Sequence, residues 1–403
     1  MIPLHRPPFG TGTVIASVLT GGARSSLERL EAAYAAFAGM PAIWLPSARA
    51  GIGWALRSAV NRETRILAPA FTCAVVHDVL AQTGSPIQWF EPDTGNLLVN
   101  PASLAPQPLS PHALVLCEVY GHTYDLAQLS QQAAAPPVIR IVDMAMAVPH
   151  LALFSRLEAR DFAVISFGAG KNMYAGWGAM GFARDAALLD EIRKIRAAAL
   201  VPATFKLAAR RALDAAARTV GNQPLIHAAA RKLRDAVRRE KPVRLTGGGS
   251  AVASPMDFTH APEWTLPSSR VDRALALWNL QHAPEAHAQR VRLAAQYQRQ
   301  LAGVAGIRCP PPAGDALSHF TVRVSADIRN QVKERLYAAG INTVTLWAFS
   351  ARLSANDFPQ AFRASAEVLN LPLSPWMTTA QVDFVCAALK RCVAQAGRNS
   401  NQS

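Results

Sequence analysis

The regular alternation of short apolar runs with helical stretches between residues 65 and 184 is the feature that most constrains the fold. The runs lie at 65–70, 87–92, 113–121, 138–145, 161–168 and 178–184. Each has the length of a strand, and helical patterns such as the one that begins near Cys73 lie between them. Strands that alternate with helices predict a mainly parallel sheet covered by helices on both faces. We therefore expect an α/β fold whose ligands gather at the carboxyl ends of the strands.

Two opposite charges lie at such strand ends. Asp143 closes the apolar run 138–142, and Lys171 follows the run 162–167 after a Gly-x-Gly turn in the segment SFGAGKNM. A lysine in a crevice loses solvation, which favours its neutral amine and makes it a nucleophile near neutral pH. A carboxylate nearby suits the protonated ring nitrogen of pyridoxal phosphate, a cofactor that forms a Schiff base with such a lysine. The pair therefore indicates a site for pyridoxal phosphate (PLP).

Motifs for other cofactors are missing from the sequence. In the phosphate-loop motif a glycine would stand at Ile165 and a Ser or Thr at Asn172. No G-x-G-x-x-G follows a strand, and HAPEAH at 282–287 has the wrong spacing for a zinc-protease helix. None of the five cysteines forms a C-x-x-C pair, so we expect reduced thiols and no metal site.

A phosphate cradle is predicted where the turn at 46–49 enters a helix. The segment PSARAGIGWALRSA at 46–59 offers free amides and a helix dipole, both of which suit a phosphate. Ser47 and Arg49 lie at the mouth of this turn, and Ser166, five residues before Lys171, adds a hydroxyl. Tyr120 and His122 follow another strand, where they either line the pocket or only pack.

Several blocks in order resemble the DegT/StrS-type aminotransferases, PLP enzymes of fold type I that mostly aminate keto-sugars linked to nucleotides. Over nearly the whole chain these blocks include SARAGIGWAL, LAPAFTCAVVHDVL, VYGHTYDL, IVDMAMA, SFGAGKN and DFPQAFRASAEVLNLPLSP. The resemblance implies a homodimer with sites between the subunits. It also implies transfer of an amino group from an amino acid, glutamate by family analogy, to a keto-sugar or related keto acceptor, as in polysaccharide biosynthesis.

The resemblance assigns roles to single residues at the strand ends. Lys171 matches the lysine that forms the internal aldimine and then carries the substrate Cα proton. Asp143 matches the partner of the cofactor's ring nitrogen. Ser166 and Asn172 match the family block Ser-Phe-x-x-x-Lys-Asn, in which the serine binds the phosphate.

The resemblance assigns two further positions. The family's Gly-Thr phosphate turn falls on Ala48 and Arg49, next to Ser47. Arg270 matches an arginine that reaches the partner subunit's site, although two serines precede it where the family usually has Asn-Tyr.

The chain also departs from the family pattern. Cys73 stands where an aromatic residue usually covers the cofactor ring, and Met146 replaces a glutamine three residues after the aspartate. We expect Cys73 to pack on the ring and Met146 to offer only van der Waals contact. The run WGAMG at 177–181 differs from the usual glycine-rich run, and the basic insert at about 189–248 is longer than in most members.

Basic residues are concentrated in that insert. The chain has a formal net charge of +14, and residues 191–244 alone hold 14 Lys/Arg against 4 Asp/Glu. Apolar residues at helical spacing predict helices at about 205–220 and 225–239, each with a cationic face. Such faces are usually solvated, and they also suit anionic lipid or a diphosphate-bearing substrate. Nucleic acid is disfavoured because aromatic residues are nearly absent among the basic ones.

Two domains are expected. A large PLP-binding domain at 1–250 carries the basic insert, and a small C-terminal α/β domain spans 251–403. A helix with start and stop signals is predicted at 25–39. In the last third we expect a helix from about Arg270, a strand at HFTVRVS, a helix that ends at Gly340 and a closing helix at 379–394. The TGGGS segment at 246–250 is typical of a flexible joint.

The sequence predicts a cytoplasmic protein. No run has the length of a membrane span, and TVIASVL near the start lacks the marks of a secretory signal. The basic insert makes the inner membrane face a candidate peripheral contact. The alternative is a protein of the same fold that is noncatalytic or catalyses another PLP reaction, and that binds a membrane surface or a partner through the insert. Dehydratases of this family characteristically lack the lysine, so the presence of Lys171 argues against a dehydratase.

Overall fold

A seven-stranded sheet forms the centre of the larger part of the molecule. This computed structural model describes residues 1–4, 6–24, 26–100, 103, 111–132, 135–223, 225–226, 229, 265–311 and 317–400. The strands are β1 (Ala42–Leu45), β2 (Arg65–Pro69), β3 (Ile87–Phe90), β4 (His112–Cys117), β5 (Ile139–Asp143), β6 (Asp161–Ser166) and β7 (Ala179–Ala183). Their spatial order is β1-β7-β6-β5-β4-β2-β3. Only β7 runs antiparallel to its neighbours, so the predicted mainly parallel sheet is confirmed.

Helices pack against this sheet and against one another. They are α1 (Thr11–Arg24), α2 (Leu27–Ala38), α3 (Ala48–Ala59), α4 (Ala74–Ala81), α5 (Leu126–Gln132), α6 (Leu151–Ser155), α7 (Ala186–Ala199), α8 (Phe205–Gly221) and α9 (Arg270–Gln281), with a 3₁₀ turn at Val119–Gly121. The predicted ends of α2 are confirmed: Ser26 accepts a hydrogen bond from the Arg29 amide, and Gly39 ends the helix at φ 67°. The central helix α3 packs on β5, β6 and β7.

A second, smaller core lies in the last third of the chain. It is built from α10 (Ala283–Leu301), β8 (Phe320–Arg323), α11 (Ala326–Ala338), β9 (Val368–Leu371) and α13 (Thr379–Ser400). Helix α12 (Pro359–Glu367) contacts α11, but its buried Ala361 and Ala364 belong to the core of the large sheet. Strands β8 and β9 pair antiparallel, and side chains such as Leu293, Val332 and Leu389 are fully buried around them. In contrast, α9 packs into the core of the large sheet. The domain boundary at 250 lies outside the described residues and stays a prediction.

The predicted basic insert is described only in part. Helix α8 follows the predicted range closely, with Thr204 accepting a hydrogen bond from the Leu207 amide at its start. The second predicted basic helix, at about 225–239, lies almost wholly outside the described residues, as does the joint at 246–250. Among the helices that are described, none combines the length and the apolar character that crossing a membrane requires.

Gly178 brings the segment after Lys171 directly against Trp44 of β1. Its φ is +102°, and an added Cβ would lie 2.4 Å from the Trp44 Nε1 atom. Backbone strain and overpacking each cost about 1–3 kcal/mol, so we expect Gly178→Ala to lower the free energy of unfolding by about 2–5 kcal/mol. Urea unfolding measures this loss.

Gly12 on α1 provides the control for that variant. No atom lies within 4 Å of the position that an added Cβ would take, and the φ of Gly12 is not positive. Gly12→Ala should change the free energy of unfolding by less than about 1 kcal/mol, in the stabilising direction. Equal losses in the two variants would contradict the close approach at Trp44.

Candidate active site

The carboxyl ends of β1, β5 and β6 meet at one edge of the sheet, where the following turns surround a cavity of about 360 Å³. This volume lies in the range of small-molecule pockets. The cavity is lined by the predicted residues Ser47, Ala48, Arg49, Cys73, Asp143, Ser166 and Lys171. Sequence positions more than 100 residues apart are therefore brought together at the edge that the alternation of strands and helices predicts.

The Lys171 amine is held in place by a methionine. Its Nζ atom donates to the Met146 Sδ atom at 3.1 Å. Asn172 Nδ2 donates to the Met146 carbonyl oxygen at 2.6 Å, which fixes the backbone that carries this thioether. The thioether sulfur is a weak acceptor within reach of the amine, a contact that the sequence did not predict. The expected van der Waals contact of Met146 with the cofactor stays a prediction.

Asp143 ends β5 as a carboxylate that burial disfavours. Burial raises the pKa of Asp143, while the charge of Lys171 and the hydrogen bond from the Ala145 amide act in the opposite direction. That hydrogen bond joins Ala145 N to Asp143 Oδ1 at 2.9 Å. A cationic ring nitrogen beside the carboxylate would offset the cost of burial.

Donors for an anion lie at the start of α3. Ser47 caps the helix by accepting a hydrogen bond from the Ala50 amide at 3.2 Å, and Arg49 lies in the first turn. Across the cavity, the Gly168 amide donates to Ser166 Oγ at 3.3 Å. Helix N termini favour phosphates. An amine, a carboxylate and these donors share one cavity, so the residues present fit PLP.

Several predicted residues lie beside the cavity or away from it. Asn172 and Met146 do not line it; Met146 contacts the Lys171 amine, and Asn172 binds the Met146 backbone. Arg270 begins α9 and does not line the cavity of its own chain, so its predicted contact with a partner subunit's site stays a prediction. Tyr120 and His122 are buried and do not line the cavity; the Tyr120 ring stacks on Trp347 with ring centroids 5.0 Å apart.

Helix α8 contributes side chains to the cavity that were not among the predicted site residues. Arg211, Asp214 and Arg218 line the same cavity, together with Trp177. The Asp214 carboxylate accepts from the Tyr174 hydroxyl at 3.2 Å and from Arg218 Nε at 2.8 Å. The three charged positions are spaced i, i+3 and i+7 and so share one helix face, which was a signal in the sequence for a common target.

Asp272 on α9 is a buried carboxylate next to this region. Burial raises the pKa of Asp272 to about 6, with hydrogen bonds to Ser269 and the charge of Arg211 acting in the opposite direction. Its Oδ2 atom accepts from the Ser269 amide at 2.7 Å, whereas Oδ1 is buried with no hydrogen-bond partner among the described residues. Ionised Asp272 therefore costs stability.

The stability of the protein is expected to depend on pH through Asp272. Because the folded-state pKa lies above the ordinary value, the folded state binds the proton more tightly than the unfolded state does. The contribution of Asp272 to stability is therefore fully present below about pH 4 and is lost as pH rises through about 6, by roughly 3 kcal/mol at most. Asp272→Asn keeps an acceptor for Ser269 but removes the titration. Denaturant unfolding of both proteins between pH 4 and 7 measures this difference, and parallel pH profiles would contradict it.

Comparison with protein families gives a match over most of the chain. The family model described as the DegT/DnrJ/EryC1/StrS aminotransferase family matches residues 16–216 and 269–390. The stretch between them, which begins near the end of α8, lies outside the match.

Two curated relatives are similar in sequence. The erythromycin biosynthesis sensory transduction protein EryC1 of Saccharopolyspora erythraea is 24% identical over 349 residues, covering 82% of this chain and 80% of that protein. The dTDP-3-amino-3,4,6-trideoxy-alpha-D-glucose transaminase of Streptomyces venezuelae is 30% identical over 148 residues, covering 33% of this chain and 38% of that one.

Solved structures share the fold. The sugar aminotransferase CalS13 from Micromonospora echinospora has a TM-score of 0.69 at 21% identity, covering 97% of this chain and 100% of that chain. A Streptococcus pneumoniae protein described as a sugar aminotransferase, in its PMP form, has a TM-score of 0.73 at 16% identity, covering 99% of each chain. The predicted fold-type-I architecture is confirmed.

Proposed function

Because the chain belongs to the DegT/DnrJ/EryC1/StrS aminotransferase family of PLP-dependent enzymes, we propose that it moves an amino group from glutamate to a nucleotide-linked keto-sugar. Family membership confirms the predicted resemblance, the predicted cofactor and the class of enzyme. The observation that carries the proposal is the pairing of the Lys171 amine with the Asp143 carboxylate in one cavity at the carboxyl edge of the sheet. The proposal concerns the identities of the amino donor and the keto acceptor.

The residues of the cavity have separable roles in this proposal. When bound, PLP supplies an electron sink for the charge that remains when the substrate Cα loses its proton. Lys171 Nζ takes and returns that proton as a general base and acid. Asp143 would keep the ring nitrogen of the bound cofactor protonated. Ser47, Arg49 and Ser166 would hold its phosphate.

A panel of acceptors tests the proposed substrate class. The protein is loaded with PLP, treated with glutamate and then mixed with nucleoside-diphosphate keto-sugars or with simple ketones and keto acids. The cofactor absorption should change on addition of glutamate and return only with a keto-sugar. A return with simple keto acids alone would overturn the sugar acceptor. No change with any amino donor would favour the noncatalytic alternative.

We also propose that the protein is a homodimer. Ile15 and Leu19 on α1 are 59% and 77% exposed, and Leu213 on the neighbouring helix α8 is 71% exposed. Large apolar side chains exposed together mark an interaction surface. A second copy of the chain is the partner that the family resemblance implies.

Light scattering of purified variants tests the dimer. Wild type should have the mass of a dimer, and the double variant Leu19→Glu with Leu213→Glu should be monomeric. Leu151→Glu, at a 70% exposed leucine on α6, should remain dimeric. Flotation with anionic phosphatidylserine vesicles accompanies this measurement. A monomeric wild type whose binding to the vesicles is lost in the double variant would assign the surface to the membrane instead.

A further inference from the structure

Helix α8 forms one wall of the cavity and brings cationic side chains to it. Arg211 and Arg218 line the cavity from this helix, whereas Arg49 and Lys171 line it from the edge of the sheet. Only two acidic side chains, Asp143 and Asp214, are found among the described residues that line the same space. The cavity therefore carries an excess of positive charge, which favours anionic ligands.

Two of these four cations interact with an acidic side chain of the cavity, and a third has a proposed role in binding the cofactor's phosphate. Arg218 Nε donates to Asp214 at 2.8 Å. The charge of Lys171 acts on Asp143. Arg49, in the first turn of α3, belongs to the proposed phosphate cradle. The remaining cation is Arg211, to which no anion in the cavity has yet been assigned.

Arg211 is held flat but is not saturated with hydrogen bonds. Its guanidinium carbon lies 3.8 Å from the centroid of the Trp177 ring, and Trp177 Nε1 donates to the Leu266 carbonyl oxygen at 3.2 Å. The Arg211 Nε atom is buried and has no hydrogen-bond partner within the part of the chain that the structure describes. Asp272 and Asp214 act on its charge only through space. A stacked guanidinium keeps its edge free for a planar acceptor.

We propose that Arg211 is a specificity-determining residue that binds an oxyanion of the substrate, a carboxylate or a phosphate, in the cavity beside Lys171. Guanidinium forms two parallel hydrogen bonds with either group, which fixes the orientation of the bound molecule as well as adding affinity. The inference rests on the proposed function, because it assumes that the substrate enters this cavity. The oxyanion comes either from the amino donor's carboxylate or from the acceptor's phosphate.

Equilibrium binding to the PLP-loaded protein tests this inference without turnover. Isothermal titration uses two unreactive probes: glutarate for the donor's carboxylates and thymidine diphosphate for the acceptor's phosphates. Wild type should bind at least one of them. Arg211→Gln should weaken that binding by about 10-fold or more, and Arg211→Lys should restore only part of it, since lysine keeps the charge but not the planar pair of donors.

Arg210 offers a matched control on the same helix. It is exposed and does not line the cavity, so Arg210→Gln removes an equal charge and should leave the binding of both probes unchanged. Loss for glutarate alone assigns Arg211 to the donor, and loss for thymidine diphosphate alone assigns it to the acceptor. Equal losses in the two variants, or no loss in Arg211→Gln, would overturn the proposal.

Further outcomes distinguish a failure of the role proposed for Arg211 from a failure of the proposed amino transfer. Weaker binding of PLP itself in Arg211→Gln, with probe binding unchanged, would place Arg211 in the cofactor's phosphate cradle and overturn the inference. If the cofactor absorption of wild type does not respond to any amino donor, the proposed function fails instead. A wild type that responds to glutamate while Arg211→Gln binds both probes normally refutes the inference and leaves the function intact.

Discussion

Lys171→Ala is expected to abolish amino transfer and to remove the visible absorption band that forms when PLP is added to wild type. In the proposed function, Lys171 provides both the amine that the cofactor requires and the group that moves the substrate proton. General acid-base catalysis alone contributes about 10²- to 10⁴-fold, so the rate of transfer should fall by at least that factor. Absorption spectra and single-turnover rates with glutamate measure the two losses.

Controls distinguish this loss from misfolding. Lys194 on α7 has a side chain that is 72% exposed, and Lys194→Ala should keep both the absorption band and the rate. Added methylamine should restore part of the rate to Lys171→Ala, because a free amine can replace the missing base. If Lys171→Ala transfers amino groups within about 10-fold of the wild-type rate, which is less than a general base contributes, a different residue is the base.

Asp143→Asn has the second largest expected effect. The amide cannot hold a proton on the ring nitrogen, and a buried charge pair that loses one member costs about 2–5 kcal/mol. PLP should therefore bind at least roughly 30-fold more weakly, and the rate of transfer should fall as well. Asp190→Asn on α7, where the side chain is 63% exposed, should bind PLP as wild type does.

The stability of the apo protein separates this role from a structural one. Burial raises the pKa of Asp143 even though the charge of Lys171 acts in the opposite direction, so the ionised side chain costs stability in the apo protein. Asp143→Asn keeps an acceptor for the Ala145 amide, so the apo variant should be at least as stable as wild type near neutral pH. A large loss of stability in the apo variant would show that Asp143 mainly supports the fold.

Most of the large sheet was predictable because its strands are locally encoded. The runs that became β2 to β7 are largely apolar, short and bounded by turns, and burial on both faces requires that pattern of the strands inside the sheet. Strand β1 was missed because its apolar run, AIWL, is only four residues long and has a proline on each side. Helix α1 was missed because glycines flank its short apolar centre.

The candidate site likewise has features that the sequence predicts and features that it does not. The residues that meet here lie at the carboxyl ends of strands or just after them, so their meeting at one edge follows from the topology: Ser47, Arg49, Asp143, Ser166 and Lys171. The hydrogen bond from Lys171 to Met146 depends on side-chain conformation, which no spacing rule supplies. The position of α8 at the cavity depends on its packing against α1 and α9, which are distant in sequence.

The two walls of the cavity come from different parts of the chain, so substrate binding and cofactor binding can change separately in evolution. The wall that carries Lys171 and Asp143 is built at the edge of the sheet, whereas the opposite wall includes helix α8, near whose end the first stretch of the family match stops. Replacing that helix should therefore change which amino donor or keto acceptor binds, while the residues proposed to hold the cofactor stay in place. Natural variants and laboratory chimeras that exchange α8 should differ in substrate choice far more than in cofactor affinity.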